Sequence, residues 1–253
     1  MMNSLRYLML ALSLIIAIPT SASIYGDAVD HPSRSEKDKE VDDRRKPAEI
    51  LEFFEVEQGM KVFDVFAGGG YYSEILSYLV GENGSIAAYN NAPWDNYVDK
   101  SLTQRLAGER LPNVKRMVAT PESLVDMDAD YDAAIFILGM HDIYYADDEN
   151  NWPSIDKEKF LNGIFKLLKE GAVFGVIDAN AQQGADNSKI GKELHRVDPQ
   201  AVIKDITAAG FELEQESDLL RNPKDDKISS VFTPENRYNT DRSVLKFRKP
   251  KTK

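Results

Sequence analysis

Residues 61–76 read Lys-Val-Phe-Asp-Val-Phe-Ala-Gly-Gly-Gly-Tyr-Tyr-Ser-Glu-Ile-Leu, an apolar strand with Asp64 near its end, a break of three glycines and the start of a helix. A strand that turns tightly into a helix directs free backbone N–H groups at one point. Because Gly68, Gly69 and Gly70 have no side chains, a nucleotide-like cofactor could approach the backbone there. The pattern therefore predicts a cofactor-binding turn.

Outward from this turn, short apolar segments alternate with helical patterns. Strands are predicted at 61–66, 85–89, 115–119, 133–138, 172–177, 211–216 and 242–248, and helices from Pro47 onward and at 72–80, 98–106, 156–168 and 199–209. Strands that are apolar on both faces and separated by helices predict a parallel sheet covered on both sides. The last two strands have no helix between them, so they should pair antiparallel. The predicted fold is α/β, a Rossmann-like, seven-stranded, mostly parallel sheet with helices on both faces and an antiparallel last strand.

The domain organisation follows from changes in composition. Arg6 precedes a 12-residue apolar run at 7–18, and small residues near Ala22 offer a cleavage site. The run is short for a membrane span, which needs about 20 apolar residues. We therefore expect a signal peptide at 1–22 and export, to a periplasm, with no membrane insertion after cleavage; an uncleaved anchor is the alternative. A polar leader at 23–46 and one domain at 47–253 follow, with a long polar insertion at 217–241 that is typical of a lid.

Composition excludes several classes of function. The chain has 253 residues and no cysteine, which excludes cysteine-based zinc sites and a cysteine nucleophile. Its formal net charge of −11 argues against a nucleic-acid partner. The three histidines and scattered carboxylates have no metal-ligand spacing, so no metal site is expected. A small-molecule substrate is the expected partner, and the oligomeric state stays open.

The glycine turn and the antiparallel last strand together resemble the class I S-adenosylmethionine-dependent methyltransferases, over about residues 47–249. Position 66 is Phe where most members have Gly, although members with an Asp-Pro-Phe type motif also have Phe there. The stretches 67–72, 194–199 and 216–223 resemble more closely a group of exported predicted methyltransferases without an assigned substrate. The resemblance implies S-adenosylmethionine as cofactor and methyl transfer to an unidentified, small-molecule acceptor.

Two other functions stay open. A dinucleotide oxidoreductase expects G-x-G-x-x-G, and Ser73 stands at the third glycine. A catalytically inactive, methyltransferase-fold binding protein of the cell envelope would suit Asn90, which stands near the place where an acid usually holds the cofactor ribose.

Candidate site residues lie after the strands, where ligands bind in open α/β sheets. The cofactor-binding residues implied by the turn and the resemblance are Asp64, Ala67, Gly68, Gly69, Gly70, Asn90 and Glu122. The catalytic candidates are His141, Asp142 and His195, with His141 as acceptor of a substrate proton and an Asp nearby to orient it. The substrate-binding candidates are Tyr71, Arg196 and Arg221. Several have a structural alternative: Asp64 could cap its own loop, Glu122 could begin a helix, Arg196 could pair with Asp198, and the backbone could satisfy His141 at a polar strand end. Trp94 could stack on an adenine or simply pack.

Overall fold

The computed structural model describes residues 23–98 and 100–251, so the predicted signal segment at 1–22 lies outside the described residues. Seven strands in this part of the chain form one sheet. They are β1 Lys61–Val65, β2 Ser85–Asn90, β3 Val114–Val118, β4 Tyr131–Ile137, β5 Leu168–Ala179, β6 Glu212–Ser217 and β7 Arg242–Arg248. The predicted strands are confirmed, with ends that differ by a few residues.

The strand order is β3-β2-β1-β4-β5-β7-β6. The first five strands pair in parallel, and β7 is inserted antiparallel between β5 and β6. This is the predicted sheet. The order reverses direction at β1 and β4, which places the glycine turn after β1 beside the carboxyl end of β4.

Ten α-helices in the described residues surround the sheet. They are α1 Ile24–Val29, α2 Glu36–Lys39, α3 Asp42–Arg45, α4 Pro47–Phe53, α5 Tyr71–Val80, α6 Ala92–Tyr97, α7 Ser101–Leu106, α8 Lys157–Leu167, α9 Asn187–Leu194 and α10 Pro199–Ala208. Pro47 and Pro199 occupy first-turn positions, where a missing N–H costs nothing. The sequence analysis missed α6 and α9. Their six and eight residues are too short for a clear helical period.

Each face of the sheet buries its own hydrophobic core, because alternate strand residues point to opposite faces. Phe63, Phe136 and Phe174 pack with residues of α8 and α10 on one face. Val62 and Ile135 pack with α1, α4 and α5 on the other.

The leader at 23–46 forms α1 to α3 and packs on the domain. Ala28 and Val29 of α1 are buried in the second core. Arg34 is buried and donates two hydrogen bonds to Asp42, at 2.7 and 2.8 Å. The charged residues of the leader thus include an internal ion pair. In the sequence, a run of mixed charges looks the same whether the side chains pair with one another or face water. No helix in the described part of the chain is long and apolar enough to cross a membrane.

Candidate functional site

The glycine turn has the backbone conformation that its sequence suggests. Gly68 and Gly70 have φ angles of 57° and 81°, a region that favours glycine. Asn90, at the end of β2, accepts a hydrogen bond from the Gly68 N–H at 2.9 Å and donates one to the Gly68 carbonyl at 3.2 Å. The Ala67 N–H donates to the Tyr89 carbonyl. Asn90 therefore holds the turn in place instead of presenting its amide to a ligand.

Phe66 occupies a left-handed backbone position, with φ of 49°. A side chain costs about 1–2 kcal/mol in this conformation, which is consistent with the glycine that the resemblance leads one to expect at this position. The Phe66 ring is buried and stacks on Tyr89 and Phe160, with centroids 5.7 and 5.4 Å away. Aromatic packing offsets the strain.

Asp64 lies buried beneath the turn and accepts a hydrogen bond from the Ser73 hydroxyl at 2.5 Å. Burial raises the pKa of Asp64 to about 7, although the bonds from Ser73 act in the opposite direction. Ser73, the residue that stands where a dinucleotide-binding motif would have glycine, is thus the partner of the motif's acid.

Helices α6 and α7 lie over the glycine turn. A Cβ on Gly69 would come within 2.9 Å of the Ser101 hydroxyl, and one on Gly70 within 2.8 Å of Leu102. A Cβ on Gly68 would lie 3.7 Å from the Trp94 ring. The Arg105 Nε–H donates to the Gly69 carbonyl at 2.6 Å. The glycines therefore allow close packing of α7, and a ligand reaches the turn only if α6 and α7 shift.

A cavity of about 980 Å³ opens beside this cover, at the carboxyl ends of β4 and β5. Its walls come from α6, from the segment 138–152 after β4 and from the insertion. Aromatic and charged side chains line it together, including Trp94, Trp152, Phe232, His141, His195 and Arg242. The insertion at 217–241 thus covers the cavity, in the place that a lid would take.

His141 and its neighbours form the polar centre of the cavity. The His141 Nδ1–H lies 3.0 and 3.1 Å from the two Asp178 oxygens, and the His141 backbone N–H donates to Asp178 at 2.8 Å. His141 Nε2 lies 3.2 Å from His195 Nδ1 and 3.4 Å from Asp142 Oδ1. All three predicted catalytic residues therefore meet here. They do so because the ends of β4, β5 and α9 converge.

The two histidines have pKa values shifted in opposite directions. Burial alone lowers the pKa of His141, but Asp142 and Asp178 outweigh it and raise this pKa to about 9. Burial and the neighbouring His141 lower the pKa of His195 to about 4. Burial raises the pKa of Asp142 to about 6, against the effects of His141 and Tyr145. Such perturbed pairs are typical of functional sites.

The predicted substrate-binding residues lie outside the cavity wall. Tyr71 donates a hydrogen bond to Asp42 and packs under Arg45. Arg196 is fully buried and binds Asp225 through two hydrogen bonds of 2.8 Å, so it anchors the insertion and not a substrate. Arg221 pairs with Asp241.

Glu122 and Asp198 also have structural partners. The Glu122 carboxylate accepts the Asp156 N–H at 3.0 Å, near the start of α8. Asp198, the predicted partner of Arg196, instead caps α10 by accepting the Gln200 N–H.

Sequence analysis missed several residues of the site. Asp178 ends an apolar strand, and that position was its only signal. Tyr145 donates to Asp142 at 2.9 Å, and the Trp152 indole N–H donates to the Asp142 carbonyl at 3.3 Å. Their short irregular segment has no periodicity from which a position could be predicted.

Comparisons with known proteins bear on the fold. Residues 25–143 match the family model of protein-L-isoaspartate(D-aspartate) O-methyltransferase. The search of curated proteins found no match.

Solved structures give the clearest likeness. A SAM-dependent methyltransferase from Aquifex aeolicus superposes with a TM-score of 0.55 at 18% identity, covering 84% of this chain and 97% of that one. The [4+2]-cyclase SpnF gives a TM-score of 0.57 at 16% identity, covering 83% of this chain and 81% of that one. Aeropyrum pernix fibrillarin, with natively bound S-adenosyl-L-methionine, gives 0.50 at 11% identity, covering 76% of this chain and 67% of that one.

The chain thus has the fold of the class I S-adenosylmethionine-dependent methyltransferases. The same matches support S-adenosylmethionine as the cofactor of this fold.

Proposed function

We propose that the protein transfers a methyl group from S-adenosylmethionine to a small-molecule acceptor held in the cavity. One observation carries the proposal: Trp94, which lies over the glycine turn, and His141, at the end of β4, line the same cavity. A cofactor on the turn and an acceptor beside His141 would therefore be neighbours.

The residues that would hold the cofactor are Asp64, Ala67 and the three glycines. They fit it once α6 and α7 move aside, since the turn already has the required backbone conformation. Each of these helices has six residues, a length that is marginal without tertiary support. The buried indole Nε1 of Trp94 has no hydrogen-bond partner among the described residues, which adds to the case for movement.

When bound, S-adenosylmethionine supplies a methyl group to a lone pair of the acceptor, and the electrons of the broken carbon–sulfur bond stay on sulfur in S-adenosylhomocysteine. The chain's contribution is mainly to position the two reactants. Asp178 fixes His141 through Nδ1, so the nitrogen available to an acceptor is Nε2, which lies 3.2 Å from His195 Nδ1. Aromatic rings of Trp94, Tyr97 and Trp152 suit an acceptor with a flat apolar part.

The family match favours no particular acceptor. It ends at residue 143, after β4, and so leaves out β5 to β7 and the insertion. Those elements supply Asp178, His195 and the lid of the cavity. Because the matched family model is that of a protein-L-isoaspartate O-methyltransferase, an isoaspartyl peptide is tested as an acceptor beside small molecules.

The test is release of S-adenosylhomocysteine when the protein and S-adenosylmethionine are incubated with metabolite fractions and with an isoaspartyl peptide. We expect turnover with a small-molecule fraction. His141→Ala should abolish transfer and leave cofactor binding intact, while His31→Ala, far along the chain and stacked on Tyr78, should change neither. Binding without turnover on any fraction would favour the inactive binding protein.

We also propose that the protein acts after export, in the periplasm, on the basis of Arg6 and the apolar run at 7–18. Cell fractionation with a mass measurement of the mature chain tests this. A full-length mass in the cytosolic fraction would contradict it. Export would require cofactor outside the compartment in which it is made.

A further inference from the structure

The polar centre of the cavity brings together three potential metal ligands. His141 Nε2, His195 Nδ1 and an Asp142 carboxylate oxygen all lie within 4.8 Å of one another. Nothing in the spacing of these residues along the chain predicts this cluster, because His195 follows α9 and the other two follow β4. The sequence analysis expected no metal site, and this cluster is a reason to reconsider that expectation.

Two of the three separations between these atoms suit one ion. His141 Nε2 lies 3.2 Å from His195 Nδ1 and 3.4 Å from Asp142 Oδ1. An ion at about 2.05 Å from each atom, an ordinary zinc–nitrogen or zinc–oxygen distance, would make angles of about 103° and about 112° with these pairs. Both angles are close to the tetrahedral value.

The surroundings of the cluster are those of a metal site. Asp178 accepts the His141 Nδ1–H, which orients the ring and leaves the Nε2 lone pair for an ion. Asp142 and Asp178 are both buried beside His141, so positive charge at His141 Nε2, from a proton or from a metal ion, balances their charge.

A second observation points to a ligand. Asp142 Oδ2 is buried and has no hydrogen-bond partner among the described residues. A proton shared between His141 and His195 would explain the contact between the rings but would leave this oxygen unpaired. A metal ion bound by both oxygens of the Asp142 carboxylate would account for the contact and for this oxygen.

We propose that His141, Asp142 and His195 bind a divalent first-row transition-metal ion, with Zn²⁺ as the best match to two imidazoles and one carboxylate. The fourth position faces the cavity, as in zinc sites that act on a substrate. An acceptor oxygen, nitrogen or sulfur bound there would lose its proton more readily, because the ion lowers its pKa. Coordination at Nε2 would replace proton acceptance by that nitrogen.

The test is a titration of the chelator-treated full-length protein with Zn²⁺ alone, followed by competition with a chromophoric chelator. We expect one ion per chain. His195→Gln and Asp142→Asn should each lower the affinity for Zn²⁺ by about tenfold to a hundredfold. His31→Gln is the matched control and should bind as tightly as the parent chain, since His31 stacks on Tyr78 outside the cluster.

Spectroscopy with Co²⁺ provides a second readout that needs no turnover. Intense visible bands typical of a four-coordinate ion should appear at one equivalent and be lost in His195→Gln. The absence of stoichiometric Zn²⁺ binding, or equal affinity in the parent and both variants, would overturn the proposal. Because no S-adenosylmethionine is present, either result is independent of the proposed methyl transfer.

Discussion

Asp64 is a carboxyl group held almost wholly out of water beneath the glycine turn, and it should make stability depend on pH. Its folded-state pKa is raised to about 7, against about 3.9 in an unfolded chain. The folded state therefore binds this proton more tightly. The contribution to stability is complete below about pH 4 and is lost as the pH rises to about 7.

Urea unfolding of the parent chain and Asp64→Asn at pH values from 4 to 8 measures this effect. We expect the parent to lose about 4 kcal/mol, as an upper figure, relative to the variant as the pH rises. Glu214→Gln should show the opposite sign when the series is extended down to about pH 2, because the hydrogen bond with Arg248 lowers the pKa of Glu214 to about 2 and its contribution is lost as the pH falls from about 4.5 to about 2. A difference between parent and Asp64→Asn that is constant with pH would contradict this account of the buried acid.

Phe66 combines a strained backbone with a well-packed ring, and two truncations separate these effects. Phe66→Ala should destabilise the protein by about 3–5 kcal/mol through lost packing. Phe66→Gly loses the same ring but relieves the positive φ, so it should be more stable than Phe66→Ala by about 1 kcal/mol. The reverse order in chemical denaturation would show that the backbone at this position is not strained.

At the scale of elements, the insertion at 217–241 depends on one buried ion pair. Arg196 and Asp225 are both inaccessible to solvent, and Arg196 also donates to the carbonyls of Asn180 and Ser229. Arg196→Met should destabilise the fold by about 3–5 kcal/mol because it leaves Asp225 buried without its partner. Limited proteolysis should then cut the insertion faster.

Arg221→Met is the matched control, because Arg221 is partly exposed. Asp241 keeps its contacts with Lys227 and Asn180 in that variant, so a loss of only about 0–1 kcal/mol is expected. Equal losses in the two variants would mean that the buried pair does not anchor the insertion.

For the molecule as a whole, regular patterns and local contacts differ in how far the sequence predicts them. The sheet follows from apolar runs such as 61–66 and 133–138, because burial on both faces leaves a clear signal. The sequence predicted that His141, Asp142 and His195 lie at the same edge of the sheet, because they follow strand ends. It did not predict that their side chains come into contact.

Other contacts leave no such signal. The buried pair of Arg196 with Asp225 and the cover of α6 and α7 over the glycines join residues far apart in the chain. Which residues meet in such contacts depends on how the irregular segments pack. An arginine in a loop looks the same in the sequence whether it binds a substrate or forms an internal ion pair. For this reason Tyr71, Arg196 and Arg221 were predicted at a substrate and found in structural contacts.

Calorimetric titration of the mature protein with S-adenosylmethionine, S-adenosylhomocysteine and NAD tests the central claim most directly. We predict one adenosyl ligand bound per chain, no heat with NAD, and a change in tryptophan fluorescence as α6 moves off the turn with Trp94. No heat with either adenosyl ligand would contradict the claim that this fold serves a methyltransferase here.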